Sequence, residues 1–388
     1  MPPAEAPSGA SAEPRHDVVI VGAGAVGLVL ACLLARRGLD VVVLERRTER
    51  GRHSRAIGIH PPGLRALAAA GVEAEVRDRA VEIHGGRVTC EGRVLGSLTF
   101  TRVGTVLSLP QLETEELLER RLEQLRPGSL RRGVEVHALR DRGTHVELAG
   151  SSAGQPLAVA ARYAVGADGV RSGIRDLLGI EWTAQRGRAQ YVMCDTRDDT
   201  GEPANALLHF EPAGVVESFP LPGGRRRWVA LVRRAPDTAT AEQLATIVAA
   251  RTGARFDTSA ASGASAFEAR QHLAARMSHG RVALAGDAAH EISPIGGQGM
   301  NLGWIDAMRL DHDLAAALAV GAPYEAFEVY DRVRRAAAAR AARQAAFNMA
   351  MGAPASGRRL RMRNAAVRVL ALPPARALLA RAFTMRWL

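Results

Sequence analysis

The sequence predicts an α/β protein in which a parallel-sheet domain is interrupted by mostly antiparallel strands and followed by helices. Three stretches predict it. Residues 16–45 read as strand, glycine-rich turn, helix and second strand, residues 190–233 alternate as a meander, and from about residue 322 alanine and arginine run on in a helical pattern.

The first stretch, "HDVVIVGAGAVGLVLACLLARRGLDVVVLERR", is the most specific. β-branched residues 18–21 lead into Gly22-Ala23-Gly24-Ala25-Val26-Gly27, a helix runs to Arg37, Gly38 stops it, and a second strand ends at Glu45. This is a complete βαβ unit with the GxGxxG fingerprint in its required context, the mark of a Rossmann-like domain that binds an adenine dinucleotide. Gly22 permits the tight turn, Gly24 lets the backbone approach a pyrophosphate at the positive helix end, and Gly27 lets the helix pack on the strand. Glu45, eighteen residues past Gly27, stands where a carboxylate accepts bonds from ribose hydroxyls.

Further along, "GRHSRAIGIHPPGLRALAAAG" is a loop and a short helix, and "LSLPQLETEELLERRLEQL" a loop followed by an amphipathic helix with apolar residues at 112, 117, 118, 122 and 125. Strand-like pieces cover 134 to 148. "ARYAVGADGVRSGIRDLLGI" is a short apolar strand broken by Gly166, Asp168 and Gly169. "GDAAHEISPIGGQGMN", residues 286–301, puts Gly286, Gly296, Gly297 and Gly299 between a strand, "RVALA", and a helix, "NLGWIDAMRLDHDLAAAL". So permissive a backbone between two well-patterned elements reads as a close approach to a ligand or as an ordinary turn.

Composition narrows the function classes. The chain has 388 residues, enough for two domains, and is 47% apolar. It has no apolar run long enough to span a bilayer, and "MPPAEAPSGASAEPRHD" lacks the charged start and hydrophobic stretch of a signal peptide. Residues 1–14 are expected to be a disordered lead and the protein to be cytoplasmic. Cys32, Cys90 and Cys194 are widely spaced, giving no disulfide framework, CxxC pair or metal cluster. The net charge of +11 is carried entirely by arginine, scattered without a nucleic-acid motif, so nucleic acid is not expected as a partner.

Together, Gly22 to Gly27, "GADGVRS" at 166–172 and "GDAAHEISPIGGQGMN" resemble the three motifs of the single-component, FAD-dependent aromatic monooxygenases of the para-hydroxybenzoate hydroxylase type, in that family's order and spacing. The resemblance implies non-covalent FAD, with NADPH or NADH as a transient co-substrate, since no second GxGxxG is present. It implies a discontinuous FAD-binding domain (15–75, 104–180 and 270–320), a substrate domain (76–103 and 181–269) and a C-terminal helical region (321–388). Asp287 would bind the ribityl chain or, on the blander reading, cap a helix. Pro294, Gly297, Gly299, Met300 and Asn301 would run beside the isoalloxazine ring, with Pro294 next to the reacting atoms. A helix beginning near Gly299 would aim amides and a positive dipole end at the reduced ring.

The same resemblance sets Asp168 near the pyrophosphate, or in a capped turn. It sets Arg55 against the diphosphate and Gln111 beside the cofactor. Arg46 is a cofactor contact or a solvated charge, and His290 either contacts FAD or is a structural or supporting residue. The implied activity is hydroxylation or epoxidation of an electron-rich aromatic or polyketide-like molecule by a flavin C4a-hydroperoxide. The implied partners are that substrate and dioxygen, with homodimerisation open. The meander is expected to carry substrate recognition, and His209 in "ALLHFEPAG" either orients or deprotonates a phenol or is an exposed strand histidine.

Three other readings stand beside this one. A flavin-dependent halogenase needs a lysine between flavin and substrate, and this chain has none. A FAD-dependent reductase of an unsaturated lipid or quinone, and a FAD-containing protein that sequesters a natural product, share the first motif. The tail "RRLRMRNAAVRVLALPPARALLARAFTMRWL" mixes basic and apolar residues as interfacial helices do, but Pro373-Pro374 divides it, which favours packing on the FAD domain or a second subunit.

Overall fold

The computed structural model describes residues 15–51, 56–100, 104–320, 325–373 and 375–385. Arg55 and the lead 1–14 lie outside the described residues.

The βαβ unit forms as its pattern requires. Strand β1 (His16–Val21), helix α1 (Ala25–Arg36) and strand β2 (Val41–Glu45) follow one another, and every residue of β2 is buried, as in the interior of a parallel sheet covered on both faces. Parallel pairing then extends outward. The strands Val282–Leu284, Gln155–Gly166, β1, β2 and Leu130–Arg132 lie side by side, and the antiparallel strands Val134–Asp141 and Val146–Ser152 continue from Gln155–Gly166.

Register aligns the carboxyl ends of these strands. Val21 pairs with Leu44 and with Gly166, and Gly166 with Leu284. The segments that leave these strand ends therefore emerge at one edge, where ligands of open α/β sheets bind. Helix α1 packs against the helices Gln111–Leu125 and Gln298–Val320, and Trp304 Nε1 donates to the Ala25 carbonyl at 3.0 Å.

Three glycines here are steric necessities. A Cβ on Gly27 would lie 2.0 Å from the Gly22 carbonyl oxygen, and one on Gly303 would lie 2.5 Å from Val26. Gly22 adopts φ +109° and backs onto Ala167, so the first two motifs are in backbone contact.

The meander belongs to a second, seven-stranded sheet ordered Ser262–Ala269, Ala189–Arg197, Arg225–Val232, Val216–Leu221, Asn205–His209, Gly85–Cys90 and Arg93–Thr99. Only the pair Asn205–His209 with Gly85–Cys90 is parallel. One face carries Val192, Cys194, Val216, Trp228 and Ala230, packed with Leu244 and Val248 of a helix, Ala241–Thr252. That helix was not expected from the sequence. It starts with a Thr240–Gln243 capping box. The other face carries Tyr191, Met193, Val229 and Leu231, and Ile295 of the glycine-rich loop packs on it.

The chain closes with three helices, Glu325–Gly352, Gly357–Leu370 and Ala375–Phe383. The tail turns back onto the molecule: Phe383 stacks on Phe100 at 5.2 Å and meets His60 edge-on at 5.4 Å, and Thr384 and Met385 are fully buried. Among the described residues no helix is long and apolar enough to cross a membrane, and no cluster of metal ligands occurs. The three cysteines are free and buried.

Candidate functional site

At the amino end of α1, Gly24 occupies the N-cap position without a side-chain cap bond, and the first intrahelical bond runs from Leu28 N to the Gly24 carbonyl. The Ala25 amide donates to Glu115 at 3.1 Å, and the remaining first-turn amides have no intrahelical acceptor. A Cβ on Gly24 would meet nothing nearer than Glu115 Oε1 at 3.9 Å, so the protein itself does not require glycine here. That open cradle before a helix end fits a pyrophosphate.

Glu115 is 6% exposed, and Gln111 Nε2 donates to it at 2.7 Å. Burial raises its carboxyl above the ordinary range, against the lowering effect of the Gln111 and Ala25 bonds. Gln111 thus reaches the cradle through Glu115, a residue that sequence reasoning passed over because its partner is 90 positions away.

Glu45 sits at the end of β2 and is 6% exposed. Its oxygens accept from Ala23 N at 2.9 Å, Arg47 N at 2.9 Å and Arg47 Nε at 3.0 Å. Burial would raise its carboxyl, but these bonds outweigh burial and hold it below the usual range. An ionised carboxylate keeps lone pairs for further donors such as ribose hydroxyls. Arg46 is exposed at the same strand end. Asp168 accepts from Ser172 Oγ at 2.5 Å and Ile174 N at 3.1 Å, so its carboxylate supports the first turn of the short helix Gly173–Leu177, whose N-cap is Ser172, while its backbone backs Gly22.

Asp287 differs from Asp168. It lies in a single 3-10 turn, Gly286–Ala288, which has no side-chain cap, and its carboxylate makes no hydrogen bond among the described residues. It opens to solvent, yet protein crowds it closely enough that desolvation lifts its carboxyl to about 6, with His290 pulling down and Glu291 pushing up. His290 is fully buried and turned away, its Nε2 at 2.6 Å from Asp306. Asp306 also accepts from Gly286 N at 3.1 Å and Arg334 Nε at 2.6 Å, and so ties the turn to two helices. Asp287→Ala is expected to weaken FAD binding about 10- to 100-fold, the loss of a hydrogen bond to a charged group, with the cofactor-free protein melting no lower. Equal loss of melting temperature with and without FAD, at unchanged affinity, would instead make the carboxylate structural.

The loop that follows is held open by backbone geometry. Gly296 and Gly297 take φ of +93° and +65°, which side chains resist, and the Gly297 amide closes a turn on the Pro294 carbonyl at 2.9 Å. Asn301 is fully buried. Its Nδ2 donates to the Gly58 and Gly297 carbonyls at 2.9 and 2.8 Å, and its Oδ1 accepts from His60 N at 2.8 Å. Its side chain thereby clamps the loop, leaving the backbone to face a ligand. His60 Nε2 lies 3.1 Å from the Gly296 carbonyl, and burial lowers its pKa to about 4, so the neutral ring donates there.

Gly299 and Met300 are half-buried in the first turn of the helix Gln298–Val320. Gln298, beside them, is 1% exposed with both amide atoms buried and unpartnered. Unsatisfied buried polar atoms are costly, and a planar, polar-edged ligand against this loop would relieve the cost. The sequence did not single out Gln298.

His209 is placed elsewhere. It pairs across the sheet with Val216, and its Nδ1 lies 2.8 Å from Thr89 Oγ1. Val216 belongs to the face covered by the helix Ala241–Thr252, so His209 emerges opposite to the face on which Ile295 packs.

Comparison with known proteins agrees with the fold. Residues 15–345 match the family model described as an FAD binding domain. The 12-dehydrotetracycline 5-monooxygenase/anhydrotetracycline 6-monooxygenase of Streptomyces rimosus is 36% identical over 342 residues, covering 84% of this chain and 67% of that protein. A rifampicin monooxygenase of Streptomyces venezuelae is 33% identical over 333 residues, covering 82% and 68%. The chain thus spans about two thirds of the length of these relatives. Among solved structures, an anhydrotetracycline hydroxylase from Streptomyces rimosus superposes with a TM-score of 0.78 at 30% identity, covering 95% of this chain and 76% of that one. A p-nitrophenol 4-monooxygenase from Pseudomonas putida shares the fold at a TM-score of 0.86 and 24% identity, covering 96% and 98%.

Proposed function

Because the chain belongs to the FAD-binding family of flavin-dependent aromatic monooxygenases, we propose that it hydroxylates a phenolic, polycyclic small molecule held between the glycine-rich loop and the seven-stranded sheet. The observation that carries the substrate reading is the packing of Ile295 on Tyr191, Met193, Val229 and Leu231, which puts an apolar sheet face over the loop. Planar aromatic ligands suit such an apolar face.

The cradle at Gly22, Gly24 and Gly27 would hold the FAD pyrophosphate, Glu45 a ribose, Asp287 the ribityl chain, and the backbone of Pro294 to Asn301 the ring edge. FAD, when bound, supplies hydride acceptance from NADPH or NADH and activation of dioxygen. The chain's own contribution is to orient and to exclude water. The amides opening the helix Gln298–Val320 present a positive end where a reduced ring gathers negative charge. The apolar face keeps solvent from the reacting atoms. The tail residue Phe383 closes the side of the loop next to His60. Such chemistry draws on cellular NAD(P)H, which fits a cytoplasmic location.

The test is NADPH oxidation by FAD-loaded protein against a panel of phenols, quinones and polycyclic aromatics. A substrate of the expected class should raise the rate at least about tenfold over the basal rate, roughly 1.4 kcal/mol of barrier. Stimulation by unsaturated lipids alone would redirect the reading to a reductase.

A further inference from the structure

The sheet face turned toward the loop carries few polar side chains, and one is conspicuously idle. Cross-strand register sets Leu208, Glu217, Val229 and Met193 in one row over four strands, so all four leave the sheet on the same side. Met193 and Val229 pack with Ile295, which identifies that side as the one facing the loop. One row along, Asp195 and Arg227 are locked together by contacts at 2.7 and 2.9 Å beside Phe219. One row the other way stands Tyr191.

Glu217 is only 4% exposed, and its carboxylate has neither hydrogen bond nor ion pair among the described residues. The Tyr191 hydroxyl is also buried without a partner, one row from Glu217 on the same face, and after burial itself the charge of Glu217 raises its pKa. A lone carboxylate is costly to bury, and the fold gains nothing from it where its row-mates are leucine, valine and methionine. A bound molecule is left to complete it.

We propose that Glu217 and Tyr191 form a substrate-binding pair that grips a phenolic hydroxyl: the carboxylate accepts the phenol O–H, and the Tyr191 hydroxyl donates to the phenol oxygen. The proposal rests on the monooxygenase reading for the identity of the substrate-facing side of this sheet. When the ring is activated, the phenol O–H bond breaks, the proton passes to the Glu217 carboxylate, and the electron pair stays on the phenol oxygen, enriching the ring. Burial supports this role by lifting the Glu217 carboxyl to about 7, closer to a phenol than an ordinary carboxyl is. His209, which the sequence offers either for this task or as an exposed strand histidine, is on the opposite face.

The experiment measures binding of phenols and their methyl ethers to the FAD-loaded protein at pH 8. The pairs are 2-hydroxyanthraquinone, 2-naphthol and 4-nitrophenol with their ethers, followed by difference spectra that separate phenol from phenolate. The wild type should prefer at least one phenol over its ether by tenfold or more, with a phenolate band in the complex. Glu217→Gln should lose most of that preference and the band at unchanged flavin content, Glu217→Asp should regain part of both, and Tyr191→Phe should weaken the preference. No phenol preference anywhere in the wild-type panel, or the same preference and band in Glu217→Gln, overturns the proposal. Either result leaves substrate-stimulated NADPH oxidation and oxygen incorporation to stand or fall separately, so the monooxygenase reading is judged on its own.

Discussion

A Gly24→Val variant is expected to fold and to be colourless. The Gly24 position has φ in the ordinary negative region, and a Cβ there meets only Glu115 Oε1 at 3.9 Å, so the cofactor-free protein should lose no more than about 1 kcal/mol, the usual cost of a poor N-cap residue. The valine methyls would occupy the space before the helix end, where the pyrophosphate must approach the backbone, and FAD affinity should fall at least about 100-fold, or about 2.7 kcal/mol. Gly27→Ala makes the contrast. Its Cβ would lie 2.0 Å from the Gly22 oxygen, so it should lower stability with or without cofactor. Isothermal titration and thermal melts of the two variants separate ligand space from packing. Full FAD occupancy in Gly24→Val would remove the dinucleotide assignment.

The second large effect is on stability. Glu217→Gln should make the substrate-free protein more stable at pH 8 than at pH 5, relative to wild type. The folded-state carboxyl is raised to about 7 by desolvation, against 4.5 as its ordinary value. Between those values the folded protein keeps a proton that the unfolded chain releases, so wild-type stability falls as pH rises through this window and stays lower above it. The difference amounts to about 3 kcal/mol, at 1.36 kcal/mol per pH unit. Glutamine has no proton to lose and escapes it, so the variant's melting temperature should exceed wild type's by several degrees more at pH 8 than at pH 5. Asp287 and His60 titrate identically in both proteins and cancel. A difference in melting temperature that does not change with pH would mean that Glu217 ionises as freely as a solvated carboxyl.

Most of the fold was legible in the sequence because it rests on local pattern. Strand, glycine turn and helix recur at Gly22 to Gly27, and parallel register then brings Gly166 and Leu284 beside Val21. The substrate side was less legible for a definite physical reason. Alternation separates inside from outside only when one face is wet, whereas the strand Val216–Leu221 is covered on both faces, by the helix Ala241–Thr252 on one and by the strands Val81–Ile83 and Val106–Ser108 on the other. Val216 and Glu217 are both buried, so a carboxylate that reads as solvent-facing is enclosed. His209 drew attention by its chemistry, and only cross-strand pairing shows which way it faces. Gln111 and Asp168 were visible in the sequence as candidate polar residues. That one donates to Glu115 and the other accepts from the first turn of a short helix depends on contacts no local pattern records.

The central claim is that this chain inserts oxygen from dioxygen into an aromatic substrate. Its most direct measurement is a turnover of FAD-loaded protein with NADPH and the strongest substrate from the panel under ¹⁸O-labelled dioxygen, read by mass spectrometry with free peroxide measured alongside. The account predicts one labelled oxygen atom in the product, peroxide well below product, and loss of both product and label in the Gly24→Val variant. Product formed equally well without dioxygen, or carrying no label, would contradict it.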